Sequence, residues 1–259
     1  MKNLQKLFAH IAGFAHFADF AGLADFVNFA GIINFLFPGN CALCGGSLLD
    51  KKEIRYSLCH GCQSSIGINE QRICGLCGKP LSSEIDTCLP CRNRDGEAAF
   101  QRLWLLFPYI GKYRKLLTEY KFRKNLYLAV FFAKMIINLI GKEPLLKDAV
   151  IVPVPPRPGK IKHTGWDQIE HLVNVMRKNN NKMVICWCLK RKRSKVQKEL
   201  SRAERLKNLK GRIYLRSAPP KIALVIDDVY TTGSTMEVCS QVLKEGGAEK
   251  VYGLCLFYD

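Results

Sequence analysis

Acidic residues are scarce in this sequence: 22 Asp and Glu stand against 40 Lys and Arg, a formal charge of +18. Such a surplus suits a polyanionic partner, either a multiply charged phosphate compound or nucleic acid, and does not choose between them. No Gly-x-x-x-x-Gly-Lys-Ser/Thr run occurs, which excludes a P-loop nucleoside triphosphatase. No small-residue cleavage site cleanly follows a basic start, so a secretory signal peptide is not expected. Asp19 and Asp25 interrupt the first long apolar stretch, so stable membrane insertion is not expected either.

Proline is also absent from the first 37 residues, where Phe8 to Gly31 nearly repeats a triplet, as in Phe14-Ala15-His16, Phe17-Ala18-Asp19 and Phe20-Ala21-Gly22. An α-helix turns about 300° in three residues, so the Phe column would spiral around it instead of forming one stripe. Residues 1–37 therefore read as a repeat-like segment, helical or disordered. It is either a terminal repeat without an essential role or a helix for a membrane surface or partner. The charge is unevenly placed, since residues 96–259 hold 31 basic and 14 acidic side chains, or +17 of the +18.

Cysteine is plentiful, with twelve residues. Eight form four Cys-x-x-Cys pairs: Cys41 and Cys44, Cys59 and Cys62, Cys74 and Cys77, Cys88 and Cys91. Two intervening residues let one tight turn aim both sulfurs at one ion, and two such turns complete a tetrahedral zinc site. Gly45 and Gly78 follow the second cysteine of two pairs and can turn backbone N–H groups toward sulfur. Fourteen residues separate the first two pairs and ten the last two, each room for a short hairpin. The spacing predicts one structural Zn²⁺ on Cys41, Cys44, Cys59 and Cys62, and a second on Cys74, Cys77, Cys88 and Cys91. His60, inside a pair, is expected to be exposed. Cys186, Cys188, Cys239 and Cys255 sit in apolar runs and read as core residues, which points to a reducing compartment, the cytoplasm.

The apolar run Lys221–Ile226 is too uniform for a half-exposed strand and fits one buried on both faces of a parallel sheet. Asp227 and Asp228 are expected to end it. A loop of Thr231, Thr232, Gly233, Ser234 and Thr235 then leads into a helix over 236–245 closed by Gly246-Gly247. Ligands of parallel α/β sheets bind where strands end and helices begin. The loop hydroxyls and helix N–H groups can surround a phosphate, and the carboxylates can accept ribose hydroxyls or hold a hydrated Mg²⁺. An acidic turn with one capping Thr is the plainer alternative. A second apolar strand, 149–154, runs into a turn shaped by prolines and Gly159 with Arg157, Lys160 and Lys162, which taken alone reads as a solvated basic turn.

The run Ile226-Asp227-Asp228-Val229-Tyr230-Thr231-Thr232-Gly233-Ser234-Thr235 resembles the phosphoribosyl pyrophosphate signature of type I phosphoribosyltransferases. Together with the cysteine block, the chain from about Phe35 onward is similar to the ComF family of competence-associated, amidophosphoribosyltransferase-like proteins. Phe37-Pro38, Lys121-Phe122-Arg123, Val152-Pro153-Val154-Pro155, Gly165-Trp166-Asp167-Gln168 and Gln197 through Asn208 also carry the likeness. The family reads Arg-Gly-Phe-Asn-Gln where this chain has Thr164-Gly165-Trp166-Asp167-Gln168.

The resemblance implies a double zinc ribbon at 38–95. A type I phosphoribosyltransferase domain follows at 96–259, an α/β parallel sheet flanked by helices. It implies phosphoribosyl pyrophosphate, or another phosphorylated ribose, with Mg²⁺, held by Asp227, Asp228, Thr231, Thr232, Gly233, Ser234, Thr235 and Arg157. It also implies a pyrophosphate-binding loop at the turn with Arg157, Lys160 and Lys162, and a role in natural transformation. Lys190–Arg216, with twelve basic and two acidic residues, fits a mobile hood over substrate, a single-stranded DNA track or a solvated face. Glutamine-dependent amidation is not expected, because no cysteine nucleophile stands near Met1-Lys2 and a glutaminase domain has no room. Two functions stay open: a phosphoribosyltransferase whose acceptor is unknown, or a non-catalytic adaptor for phosphoribose, single-stranded DNA and a competence helicase.

Overall fold

The computed structural model describes residues 39–67, 72–81, 86–94, 96–192 and 211–259. The triplet segment lies outside them. So does most of the basic loop, with Gln197, Leu200, Ser201, Arg205 and Asn208. The described strands are β1 (Arg102–Pro108), β2 (Val150–Pro153), β3 (Leu189–Arg191), β4 (Ile213–Leu215), β5 (Ile222–Tyr230) and β6 (Lys250–Tyr258). The helices are α1 (Lys51–Tyr56), α2 (His60–Ser65), α3 (Leu89–Arg92), α4 (Gly111–Lys121), α5 (Leu128–Lys142), α6 (Lys160–Thr164), α7 (Gln168–Asn179) and α8 (Ser234–Glu245).

Four strands form one sheet in the order β1-β6-β5-β2, and every pairing in it is parallel. Strands of this kind are covered on both faces, and successive side chains point to opposite sides. Trp104, Leu106, Leu224, Ile226, Leu254 and Leu256 enter one core with Phe132 and Leu172, under α4, α5 and α7. Their neighbours Leu103, Leu105, Ala223, Val225, Val251 and Cys255 enter a second core with Met236 and Leu243 of α8. Each fully buried Leu or Phe contributes about 1.5–3 kcal/mol relative to exposure. Cys188, Cys239 and Cys255 are buried, as the apolar runs suggest, and Cys186 is half-buried. Among the described residues, no helix is long and apolar enough to cross a membrane.

Two local expectations are corrected. The spacer after Cys44 contains α1, not only a hairpin, because Asp50 caps it by accepting from the Lys52 and Glu53 N–H groups at 2.7 and 2.9 Å. The acid pair does not end β5, which runs on to Tyr230. Its neighbour β6 continues alongside, pairing Asp227 with Cys255, Val229 with Phe257 and Tyr230 with Tyr258. On the other side the β2 pairing stops at Ile226. Asp227–Tyr230 therefore line a crevice where one neighbouring strand has ended, the position at which α/β sheets take ligands.

Candidate functional site

The sulfurs of Cys41, Cys44, Cys59 and Cys62 lie within 4.8 Å of one another, as do those of Cys74, Cys77, Cys88 and Cys91. Cys44 and Cys59 Sγ are 3.7 Å apart, and Cys77 and Cys88 Sγ are 3.6 Å apart. Four sulfurs at about 2.3 Å from a tetrahedral zinc are separated by about 3.8 Å, so both sets fit the ion. Gly45 and Gly78 have φ of +78° and +69° at the turns. The Gly46 N–H donates to Cys44 Sγ at 3.4 Å, and the Cys77 and Cys88 N–H groups donate to Cys74 Sγ at 3.5 and 3.4 Å.

Burial pushes the Cys41 and Cys74 thiols up, but backbone donors outweigh it and lower them to about 6 and about 7. Cys62 and Cys77 move upward, chiefly by burial, and Cys91 reaches about 12. Backbone donors thus prepare Cys41 and Cys74 to bind as thiolates, and metal binding releases protons from ligands that are still protonated. Both closed four-sulfur sets support a structural zinc. His60 is exposed, as expected, and its Nε2 lies 2.5 Å from Asp50 Oδ2.

The second site stands at the open end of β5. Asp228 is buried, and its Oδ2 accepts from Lys121 Nζ and from Gln168 Nε2, both at 2.5 Å. Burial pushes its carboxyl up, yet the Lys121 charge and the two donors bring it below the usual range. Asp227, half-buried next to it, goes well above the usual range through desolvation and then the Asp228 charge. The environments thus drive two adjacent acids in opposite directions.

The loop that follows turns at Gly233, with φ +76°, where a Cβ would lie 2.6 Å from the Tyr230 hydroxyl. Gly233 caps α8 without a side-chain hydrogen bond. The first N–H groups of any helix lack intrahelical partners and form a ready anion site. Ser234 is buried, with its Oγ 2.9 Å from Thr232 Oγ1; Thr231 is exposed and Thr235 half-buried. Asp227, Asp228 and Thr231–Thr235 therefore occupy one strand end and the helix start beside it.

Arg157 is exposed in the turn after β2. Sequence reasoning placed Arg191 only in the basic loop, but it is the last residue of β3, half-buried, and close enough to feel both Arg157 and Asp227. Burial, then the Arg157 charge, lower its pKa. Its buried Nε has no hydrogen-bond partner among the described residues. Lys121 and Gln168 belonged to the family likeness but had no assigned role. Only their meeting on Asp228 supplies one. Asp167, the acid that departs from the family reading, is used as a cap. Its Oδ1 accepts from the Ile169 and Glu170 N–H groups at 2.9 and 3.0 Å, and its Oδ2 from Lys160 at 2.6 Å.

The second cysteine set reaches this region. A cleft lined by Cys88, Pro90, Arg94, Phe100, Tyr230 and Thr232 lies between them. Glu237 of α8 holds the strap between them, accepting from the Ala99 N–H at 3.0 Å and pairing with Arg94 at 3.0 Å.

A double zinc ribbon domain matches residues 32–92. Over 235 residues the chain is 29% identical to Competence protein F of Haemophilus influenzae, a match covering 83% of this chain and 95% of that protein. It is 27% identical to Competence protein ComFC of Streptococcus pneumoniae over 82% of this chain and 96% of the relative. It is 25% identical to the DNA utilization protein YhgH of Salmonella typhi over 77% and 96%. With the ribbon matched and the similarity running on through the sheet domain, this chain is a homologue of the ComF-type competence proteins.

Proposed function

We propose that the sheet domain binds a phosphorylated ribose, phosphoribosyl pyrophosphate being the ligand for which every part of the site has a use. The observation that carries this reading is the acid pair at an opened strand end, followed within five residues by an uncapped helix start. Asp227 and Asp228 take the ribose hydroxyls, and the Thr231–Thr235 loop takes the 5′-phosphate. Arg191, close enough to feel Asp227, and Arg157, which Arg191 also feels, come from different elements and take the pyrophosphate. A Mg²⁺ brought by phosphoribosyl pyrophosphate has the pyrophosphate oxygens as its own ligands. Such a site acts by positioning and electrostatics and needs no protein nucleophile. The names of the relatives support a place in natural competence and DNA uptake. The 31 basic residues of 96–259 suit single-stranded DNA as a second partner.

Calorimetry with phosphoribosyl pyrophosphate and ribose 5-phosphate tests this. Removing a charged hydrogen-bond partner costs about 1.5–3 kcal/mol, roughly ten- to a hundredfold in affinity. Asp228→Asn is expected to weaken both ligands by about that factor. Thr232→Val, which keeps shape and deletes a hydroxyl, is expected to weaken ribose 5-phosphate as well. No heat from the wild type at millimolar ligand would leave a fold that has lost its ligand, and a DNA-binding adaptor would then be the better reading.

A further inference from the structure

The carboxylates were expected to be able to hold a hydrated Mg²⁺, and the acid pair does not fit that ion. Mg²⁺ needs near-octahedral oxygen ligands at about 2.0–2.1 Å and favours ionised carboxylates. Here Oδ2 of Asp228 already carries an ammonium and an amide, each at 2.5 Å. Asp227 is driven toward its neutral form by burial and by its neighbour. A divalent ion bound directly to that oxygen would have to displace Lys121.

Lys121 is not a passing surface contact. It ends α4, whose Leu116, Leu117 and Tyr120 are fully buried, so the helix cannot swing away without opening the core. The Tyr120 hydroxyl, one residue earlier, donates to the Gln168 carbonyl at 2.6 Å. The other donor to Asp228 is thereby tied to the same helix end. Gln168 is oriented in turn, because Lys160 Nζ donates to its Oε1 and leaves Nε2 facing Asp228. The side chains of Lys121 and Asp228 are 29% and 12% exposed, so the pair is shielded from water and salt.

Given the phosphoribose reading of this site, we propose that Lys121 is its resident cation: the ammonium does at Asp228 what a divalent ion would otherwise do. It pairs with the Asp228 carboxylate and fixes the oxygen beside which the ribose hydroxyls bind. The 5′-phosphate and ribose therefore bind without metal, and Mg²⁺ matters only to a ligand that carries a pyrophosphate.

The test is calorimetry with ribose 5-phosphate, in EDTA and in Mg²⁺, on wild type, Lys121→Met and Lys121→Arg, each first checked for an unchanged melting profile. Wild type is expected to bind equally in both conditions. Lys121→Met is expected to lose roughly ten- to a hundredfold in EDTA and to regain part of it in Mg²⁺, because the vacated Asp228 becomes open to the ion. Lys121→Arg keeps the charge and should stay metal-independent, which holds the test open if Lys121→Met does not fold. Wild-type binding that requires Mg²⁺, or Lys121→Met binding as well as wild type in EDTA, overturns the resident-cation role and leaves the phosphoribose site standing. Failure of the wild type to bind ribose 5-phosphate and phosphoribosyl pyrophosphate in either condition overturns the site itself.

Discussion

The two cysteine clusters are near copies in spacing, yet they attach to the rest of the molecule by different physics. The first docks through side chains. Cys41, Ala42, Leu48, Tyr56 and Leu58 join the same core as Phe131 and Phe132 of α5, with the Tyr56 and Phe131 rings 5.8 Å apart edge to face. Lys112 and Lys115 of α4 reach over to the Ser65 and Leu43 carbonyls. The second docks through backbone. The Leu103 N–H of β1 donates to the Leu76 carbonyl at 2.9 Å, and a Cβ on Gly78 would lie 2.3 Å from the Leu103 carbonyl oxygen. It thus covers the outer edge of the sheet, which otherwise presents unpaired strand groups. The same cluster shares a cleft with Tyr230 and Thr232 at the Thr231–Thr235 loop. One ribbon is part of the hydrophobic core, and the other is part of the wall of the site.

That division predicts crossed effects of metal loss, the largest expected here. Cys44→Ser and Cys77→Ser should each leave one zinc per chain by metal analysis. A ribbon this small depends on its ion for much of its folding free energy. Losing the first uncovers a slab of the main core, and the expected cost is above about 3 kcal/mol, read as a lowered denaturation midpoint. Losing the second should cost less in midpoint and more in function, with ribose 5-phosphate about tenfold weaker, or ~1.4 kcal/mol. Equal midpoint losses with unchanged ligand binding in both variants would erase the distinction.

The sequence made the ligands of both clusters legible, because two-residue spacing is a local rule that needs no tertiary knowledge. Their different docking was not legible, since Leu76 and Gly78 read as ordinary turn residues until β1 lies against them. The same holds in the sheet domain. The run 221–226 announced a buried strand, but its continuation to Tyr230 depends on β6, more than twenty residues later in the chain. Asp227 and Asp228 were visible as an adjacent pair. Their unequal surroundings were not, because these are set by Lys121 and Gln168, 107 and 60 residues away from Asp228. Arg191 was hidden by its basic neighbours, which made one half-buried guanidinium look like part of a charged surface.

A single glycine pair sharpens the contrast between ribbons at smaller scale. Gly45 and Gly78 hold matching positions with positive φ, so alanine at either costs about 1–2 kcal/mol of backbone strain. Around Gly45 an added Cβ meets nothing within 4 Å, whereas at Gly78 it collides with the β1 backbone. Gly45→Ala should therefore stop at the strain cost. Gly78→Ala adds an overpacking penalty and should total about 2–4 kcal/mol. Hydrogen exchange should show the extra loss at the Leu103 N–H, because that group bonds to the ribbon itself. If both alanines cost the same, the second ribbon does not sit on the sheet edge.

The smallest effect compares the polar tethers. Arg55 Nη2 of the first ribbon donates to Asn179 Oδ1 at 2.9 Å, but both residues are exposed and water replaces such a bond readily. Arg55→Ala is expected to stay within about 0.5 kcal/mol of wild type. The Arg94–Glu237 pair is different, with side chains only 15% and 18% exposed and the same carboxylate also holding the Ala99 N–H. Glu237→Gln keeps the shape and leaves the Arg94 guanidinium without its counter-charge in a largely dry place, for an expected cost of about 1–2 kcal/mol. Urea denaturation of the two single variants and the double resolves this, since tethers that share no partner should act additively. A Glu237→Gln loss no larger than that of Arg55→Ala would mean that the strap between the second ribbon and α8 is held by backbone contacts alone. The ribbon would then keep its place at the wall of the site without help from charge.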